Sequence, residues 1–210
     1  LKVGLAGKFN RCHFLPRKRP NVVAWHVDWF DKEYDLGEYQ KKVVDWLHSH
    51  DFPIRIHEKG FLPHVTICRR PFRYTDWRKA FHPLPMIIKD IHLYESVGGL
   101  RYKPIWTYPL RAPFEEFEHT ADLAFRVRGE NLHQILKHAQ VALAFHFPPL
   151  LSHISDKSTM ETLDDIIIDL NTLITTVDKK EGCPIKAVSF HGELLEEDDG
   201  TLLWEMILDV

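Results

Sequence analysis

The chain has 210 residues, with 27 Lys or Arg against 30 Asp or Glu and a net charge of -3, a length that suits one large domain or two small ones. The average hides a split. Up to Leu110, 19 basic side chains face 11 acidic ones, whereas 8 face 19 from Arg111 onward, so the two halves are expected to be different objects. An apolar content of 44% with six Trp excludes low-complexity disorder, and no apolar run reaches the ~18 residues of a membrane span. The start lacks a signal peptide's order of basic then apolar residues. A soluble, cytoplasmic protein with no membrane contact is expected.

Residues 1–20 read as a weak strand followed by a basic loop carrying Arg11, Arg17, Lys18 and Arg19. Val22 to Trp29 is β-branched and aromatic over a strand's length. Leu36, Tyr39, Val43, Trp46 and Leu47 fall at helical spacing and predict an amphipathic helix over Leu36 to His48. A strand over His64 to Cys68 follows, then a short helix over Tyr74 to Phe81, then strands over Met86 to Tyr94 and Tyr102 to Tyr108. Arg111-Ala112-Pro113 reads as a boundary, because proline ends the preceding strand where the charge balance reverses.

Beyond it, Phe114 to Glu118 and Leu123 to Arg128 read as strands. A helix begins near Asn131, with Leu132, Ile135, Leu136, Ala139, Leu143 and Ala144 as its apolar face, and Pro148-Pro149 closes it. A second helix runs to about Val177 from an N-cap at Thr159, with Thr162 as the alternative. The end reads as a hairpin with arms Ile185 to Leu194 and Leu202 to Leu208, turning at Glu197-Asp198-Asp199-Gly200. Cys12, Cys68 and Cys183 have no paired spacing and read as small apolar fillers.

His64-Val65-Thr66 is the first chemical motif. Two residues apart on a strand, the imidazole and the hydroxyl share a face. The first exchanges protons near neutral pH and the second donates to a phosphate oxygen, a pairing suited to phosphodiester chemistry. With its context, Gly60-Phe61-Leu62-Pro63 before it, Ile67-Cys68-Arg69 after it, then Trp77, Pro83-Leu84-Pro85 and Ile91-His92-Leu93-Tyr94, the segment resembles the second half of the 2H phosphoesterases, which include the 2′-5′ RNA ligase-like proteins.

That resemblance covers residues 1 to 110. It implies a base and an acid on two H-x-T motifs in facing lobes, acting on a 2′,3′-cyclic or 2′-5′ phosphodiester. Only one such motif is present: His64 and Thr66 make a catalytic half-site. His26-Val27-Asp28 sets a carboxylate where a hydroxyl donor is needed, and Asp28 would repel a phosphate. General acid–base chemistry needs both partners. Either a further lobe precedes Leu1, as the absence of an initiator Met suggests, or this half is kept as a binding surface. Arg69, Arg70 and Arg73 are the candidate RNA-backbone contacts, with Trp77 or Tyr74 for stacking on bases; the alternative is a solvated basic face. A homodimer through residues 1 to 110 would cover the face a missing lobe leaves open.

The second motif is Phe117-Glu118-His119-Thr120-Ala121-Asp122, running into Leu123 to Gly129. Together with Ile185-Lys186-Ala187-Val188-Ser189-Phe190-His191 and the closing Trp204 to Val210, it resembles the archease family over residues 114 to 210. That implies an activator of the tRNA-splicing RNA ligase that joins 2′,3′-cyclic phosphate ends. It also implies a divalent-metal site formed by Asp122, Asp209 and the terminal carboxylate of Val210, with His119 and Lys186 beside it or touching the partner. Such oxygen ligands suit Ca²⁺ or Mg²⁺. The stretch between the second helix and Lys186 is shorter than archeases carry, which leaves the partner-facing surface open to difference. The expectation is an α+β protein of two small α/β-sandwich domains, an incomplete 2H phosphoesterase-like lobe (1 to 110) and an archease-like domain (114 to 210), acting on RNA ends beside an RNA ligase. The alternative is a phosphoesterase active only with an upstream H-x-T lobe.

Overall fold

The computed structural model describes residues 2–30, 36–52, 61–118, 123–155, 160–189 and 192–210. Among these the chain is mixed α+β, with four α-helices and antiparallel sheets. It divides into two compact units, residues 1–8 with 83–210, and residues 9–82. The division does not fall at Arg111–Pro113. Gly4 N donates to Arg111 O at 2.7 Å and Arg111 N donates to Lys2 O at 3.1 Å, which ties the chain's opening residues to that point. Backbone pairing over such a sequence separation leaves no mark on composition.

The unit of residues 9–82 is built on β1 (Leu5–Leu15, its first four residues counted with the other unit), β2 (Val22–Trp29) and β3 (His64–Arg69), with β2 in the centre. Two helices, α1 (Leu36–Ser49) and α2 (Tyr74–Ala80), accompany them. Val23, Ala24 and Val27 are fully buried, as a β-branched central strand requires. One side of the sheet is covered through aromatic contacts: the Trp25 ring meets Phe9 at 5.4 Å and Phe81, just past α2, at 5.5 Å. Helix α1 forms where its spacing predicts, yet none of its residues is buried.

In the other unit, β4 (Leu84–Ile88) lies beside β1, and β5 (Asp90–Ser96) pairs with β6 (Tyr102–Pro109) as a two-stranded ribbon. The single strand expected over Met86 to Tyr94 is therefore two, because the chain changes partner at Lys89. Strands β7 (Phe114–Phe117), β8 (Leu123–Gly129), β9 (Ala187–Val188), β10 (Leu194–Glu196) and β11 (Leu202–Asp209) form one sheet, in the order β10-β11-β8-β7 with β9 also on β11. The hairpin turn is as expected: Gly200 has φ +81° and donates to Glu197 O at 2.8 Å. Its first arm is not one strand. Strand β10 pairs with the start of β11 and β9 with its end.

Helix α3 (Leu132–His146) is capped by Asn131, whose side chain accepts from Gln134 N. A cap of this kind contributes about 1 kcal/mol. One apolar face was expected, but every residue from Gln134 to Ala144 is buried, because the helix packs on β8 and β11, on α4 (Leu163–Glu181), on β4 and on the 3-10 turn Pro148–Ser152. Two of its buried polar side chains donate internally, Lys137 Nζ to Ser155 O and Gln140 Nε2 to Asp169 Oδ2, while Gln140 Oε1 is buried without a hydrogen-bond partner. The N-cap of α4 is Thr162, the alternative to Thr159, in a reciprocal capping box with Asp165. Cys12, Cys68 and Cys183 are unpaired and half-buried, and burial raises the Cys12 and Cys183 thiols above the ordinary range, as suits packing residues. Among the described residues no helix is long and apolar enough to cross a membrane.

Candidate functional site

Strand β3 pairs antiparallel with β2, and His64 lies directly opposite His26. Residues opposite one another across such a pair share a face. Val27 N donates to Pro63 O at 3.0 Å. That makes Val27 and Pro63 the hydrogen-bonded pair, so His26 and His64 form the closer, non-hydrogen-bonded kind, with Cα atoms about 4.5 Å apart. Thr66 stands opposite Ala24 on the same face and is exposed.

Strand β3 is not regular. Ala24 pairs with Thr66 and Val23 with Cys68, which leaves Ile67 as one extra residue. A bulge of this type reverses the alternation beyond it. Arg69 is opposite Val22, whose even-numbered position on β2 it shares with Ala24 and His26, so Arg69 emerges on the face of His64 and Thr66. Plain alternation predicts the opposite.

The hydrogen bonds fix the tautomers of both histidines. His64 Nδ1 lies 2.8 Å from Leu62 O, and a carbonyl oxygen can only accept, so Nδ1 carries the proton. His26 Nδ1 donates to Asn10 Oδ1 at 2.8 Å. In the neutral ring each Nε2 is then left with its lone pair. A third ring, His13, meets His26 edge-on at 5.5 Å, and its Nε2 is buried without a hydrogen-bond partner. Burial lowers the pKa of His26, with the Arg11 guanidinium and His13 adding to the effect and Asp28 opposing it. Burial also lowers that of His13, with Arg11 and Arg17 next in size. Both rings are thereby biased toward the neutral form.

The three expected RNA contacts differ in their surroundings. Arg70 is committed to structure: its Nε donates to Pro20 O at 2.6 Å, its NH2 to Tyr74 Oη at 2.8 Å, and its guanidinium lies over the Phe72 ring. Arg73 pairs with Asp76 at 2.8 Å in an exposed contact, which costs little to open. Arg69 is exposed. The Tyr74 ring packs against Phe14 at 4.9 Å and Phe72 at 5.4 Å, so it is part of an aromatic cluster.

In the other unit, Lys186 Nζ donates to Val210 O at 2.7 Å and lies 3.9 Å from Asp209 Oδ1, and Lys186 N donates to Asp209 O at 2.8 Å. His119 and Asp122 lie outside the described residues. Leu123, next to Asp122 in sequence, pairs with Leu208, next to Asp209. Asp209 and Val210 thus gather around an ammonium group, and among the described residues no set of three metal-ligating side chains converges. The donor chemistry suits a hard cation, and the Lys186 ammonium stands against the same oxygens.

Three residues of the first site, Asn10, His13 and His26, were not legible as partners of His64. Asn10 and His13 both reach His26 although they stand an odd number of positions apart on β1, a pairing that plain alternation does not predict. No family model matches the chain, and no curated protein or solved structure matches it.

Proposed function

We propose that the chain is an accessory protein of RNA-end repair, an archease-like activator of a 2′,3′-cyclic-phosphate RNA ligase whose residues 9–82 receive the phosphodiester end of the RNA. The observation that carries this reading is the bulge at Ile67, which sets Arg69 on one exposed face with His64 and Thr66. A guanidinium, a hydroxyl and an imidazole together supply charge and directional donors for phosphate oxygens. The archease-like half, with a Ca²⁺ or Mg²⁺ ion and the ligase as its partners, rests on the resemblance of residues 114 to 210.

The test is a binding comparison between a short RNA ending in a 2′,3′-cyclic phosphate and the same RNA ending in a 3′-hydroxyl, followed by guanylylation of an RNA ligase with and without the protein. Tighter binding of the cyclic end, weakened about tenfold by Arg69→Ala, is expected. Equal affinity for both ends would remove the reading. A second reading, hydrolysis of the cyclic ester, is favoured by the placement of His26 opposite His64.

A further inference from the structure

Acid–base chemistry at a phosphodiester requires a second proton-exchanging group beside His64, and the sequence offers no second H-x-T motif. The strand register offers another imidazole. His26 is directly opposite His64, in the pair type that brings side chains closest. Each ring has its Nδ1 proton donated to a fixed oxygen, Asn10 Oδ1 for His26 and Leu62 O for His64. Both rings are thus held by one edge, with Nε2 as the atom left to react.

We propose that His26 is the proton-exchange partner of His64, with Asn10 and His13 as positioning residues, so that the acid–base pair lies within residues 9–82 and needs no second lobe. The inference rests on the reading of this face as the receptor of a 2′,3′-cyclic phosphate. In the step it implies, a water oxygen bonds to phosphorus while His26 Nε2 takes the water proton. The bond from phosphorus to one ribose oxygen breaks, that oxygen keeps the electron pair, and the imidazolium form of His64 protonates it through Nε2. A ribose phosphomonoester leaves, and the two rings re-equilibrate their protons with solvent. His26 is the base because it is the less exposed ring. The charged and titratable groups that bear on it are Arg11 and His13 on β1, Asp28 on β2, and His64 on β3. Arg17, after β1, bears on His13.

The experiment uses the whole chain with adenosine 2′,3′-cyclic phosphate, following turnover against pH and, separately, histidine imidazole resonances for binding. Turnover is expected to be bell-shaped in pH. His64→Gln and His26→Gln should each lower kcat about 100-fold or more while the nucleotide still perturbs the remaining resonances. Asn10→Asp should move the acidic limb to higher pH, because a carboxylate on Nδ1 favours the imidazolium; loss of a merely structural contact would leave that limb in place. Unchanged circular dichroism excludes unfolding, and His26→Asn provides a second variant. Nucleotide binding without turnover, or turnover indifferent to His26, overturns the inference and leaves the binding reading intact. No perturbation by the nucleotide at all removes both.

Discussion

His13 and His26 have folded-state pKa values held below the ordinary imidazole value of 6.5, by burial first and then by neighbouring cations. In the unfolded chain both regain that value, so below it the unfolded state binds more protons. The stability they allow is fully present above pH 6.5, and it falls as the pH drops through the unfolded value and on through the depressed folded ones. Urea unfolding followed through Trp25 and Trp29 fluorescence should show a midpoint that declines on acidification from pH 7 to 5. His13→Gln should flatten that decline, and an equally steep decline would assign it elsewhere. The same burial that costs stability in acid keeps the lone pair of His26 available at neutral pH, which links packing to the proposed chemistry.

At the scale of elements, one extra residue decides what a strand presents. His64 and Thr66 are legible as sharing a face because alternation over two positions is short and unbroken. Arg69 is not, because the bulge at Ile67 lies between them, and nothing in Val65-Thr66-Ile67-Cys68 announces it. The opening strand shows a second such limit. Gly4 falls in the stretch that reads as a weak strand, but a Cβ there would stand 1.9 Å from Ile88 O. Its role is to let two backbones approach. Gly4→Ala should therefore lower stability by about 1–3 kcal/mol through forced backbone displacement, measured as a lower midpoint in thermal or urea unfolding. A wild-type midpoint would show that β4 can give way without cost. Helix α3 carries the converse lesson. Its periodicity finds the helix and its start at Asn131, but neighbours on every side bury Lys137, His138 and Gln140 as well.

For the whole molecule, the net charge of -3 predicts little attraction to RNA, while the basic surplus up to Leu110 predicts local attraction that salt weakens. Screening confines each half's charge to roughly 10 Å at 0.1 M salt, so the local pattern governs. Binding of single-stranded RNA should weaken with rising salt, and Arg69→Ala should reduce the slope of log K against log salt by about 0.7, the share of one phosphate contact. Arg70→Ala should act through stability, since its guanidinium is bonded to Pro20 and Tyr74. A slope unchanged by Arg69→Ala would place the phosphate contact elsewhere.

By itself the sequence determined the helices and the kinds of most strands, because hydrophobic period, capping residues and turn residues act over a few positions, while several strand limits depended on pairing partners. It also placed His64 and Thr66 on one face, through a spacing of two on a strand. Only the tertiary structure decided that His26 faces His64, that Arg69 joins them, that Asn10 holds a ring, and that residues 1–8 pack with 83–210. Register and long-range pairing arise from contacts between segments far apart in the chain, and a single extra residue shifts which side chains meet.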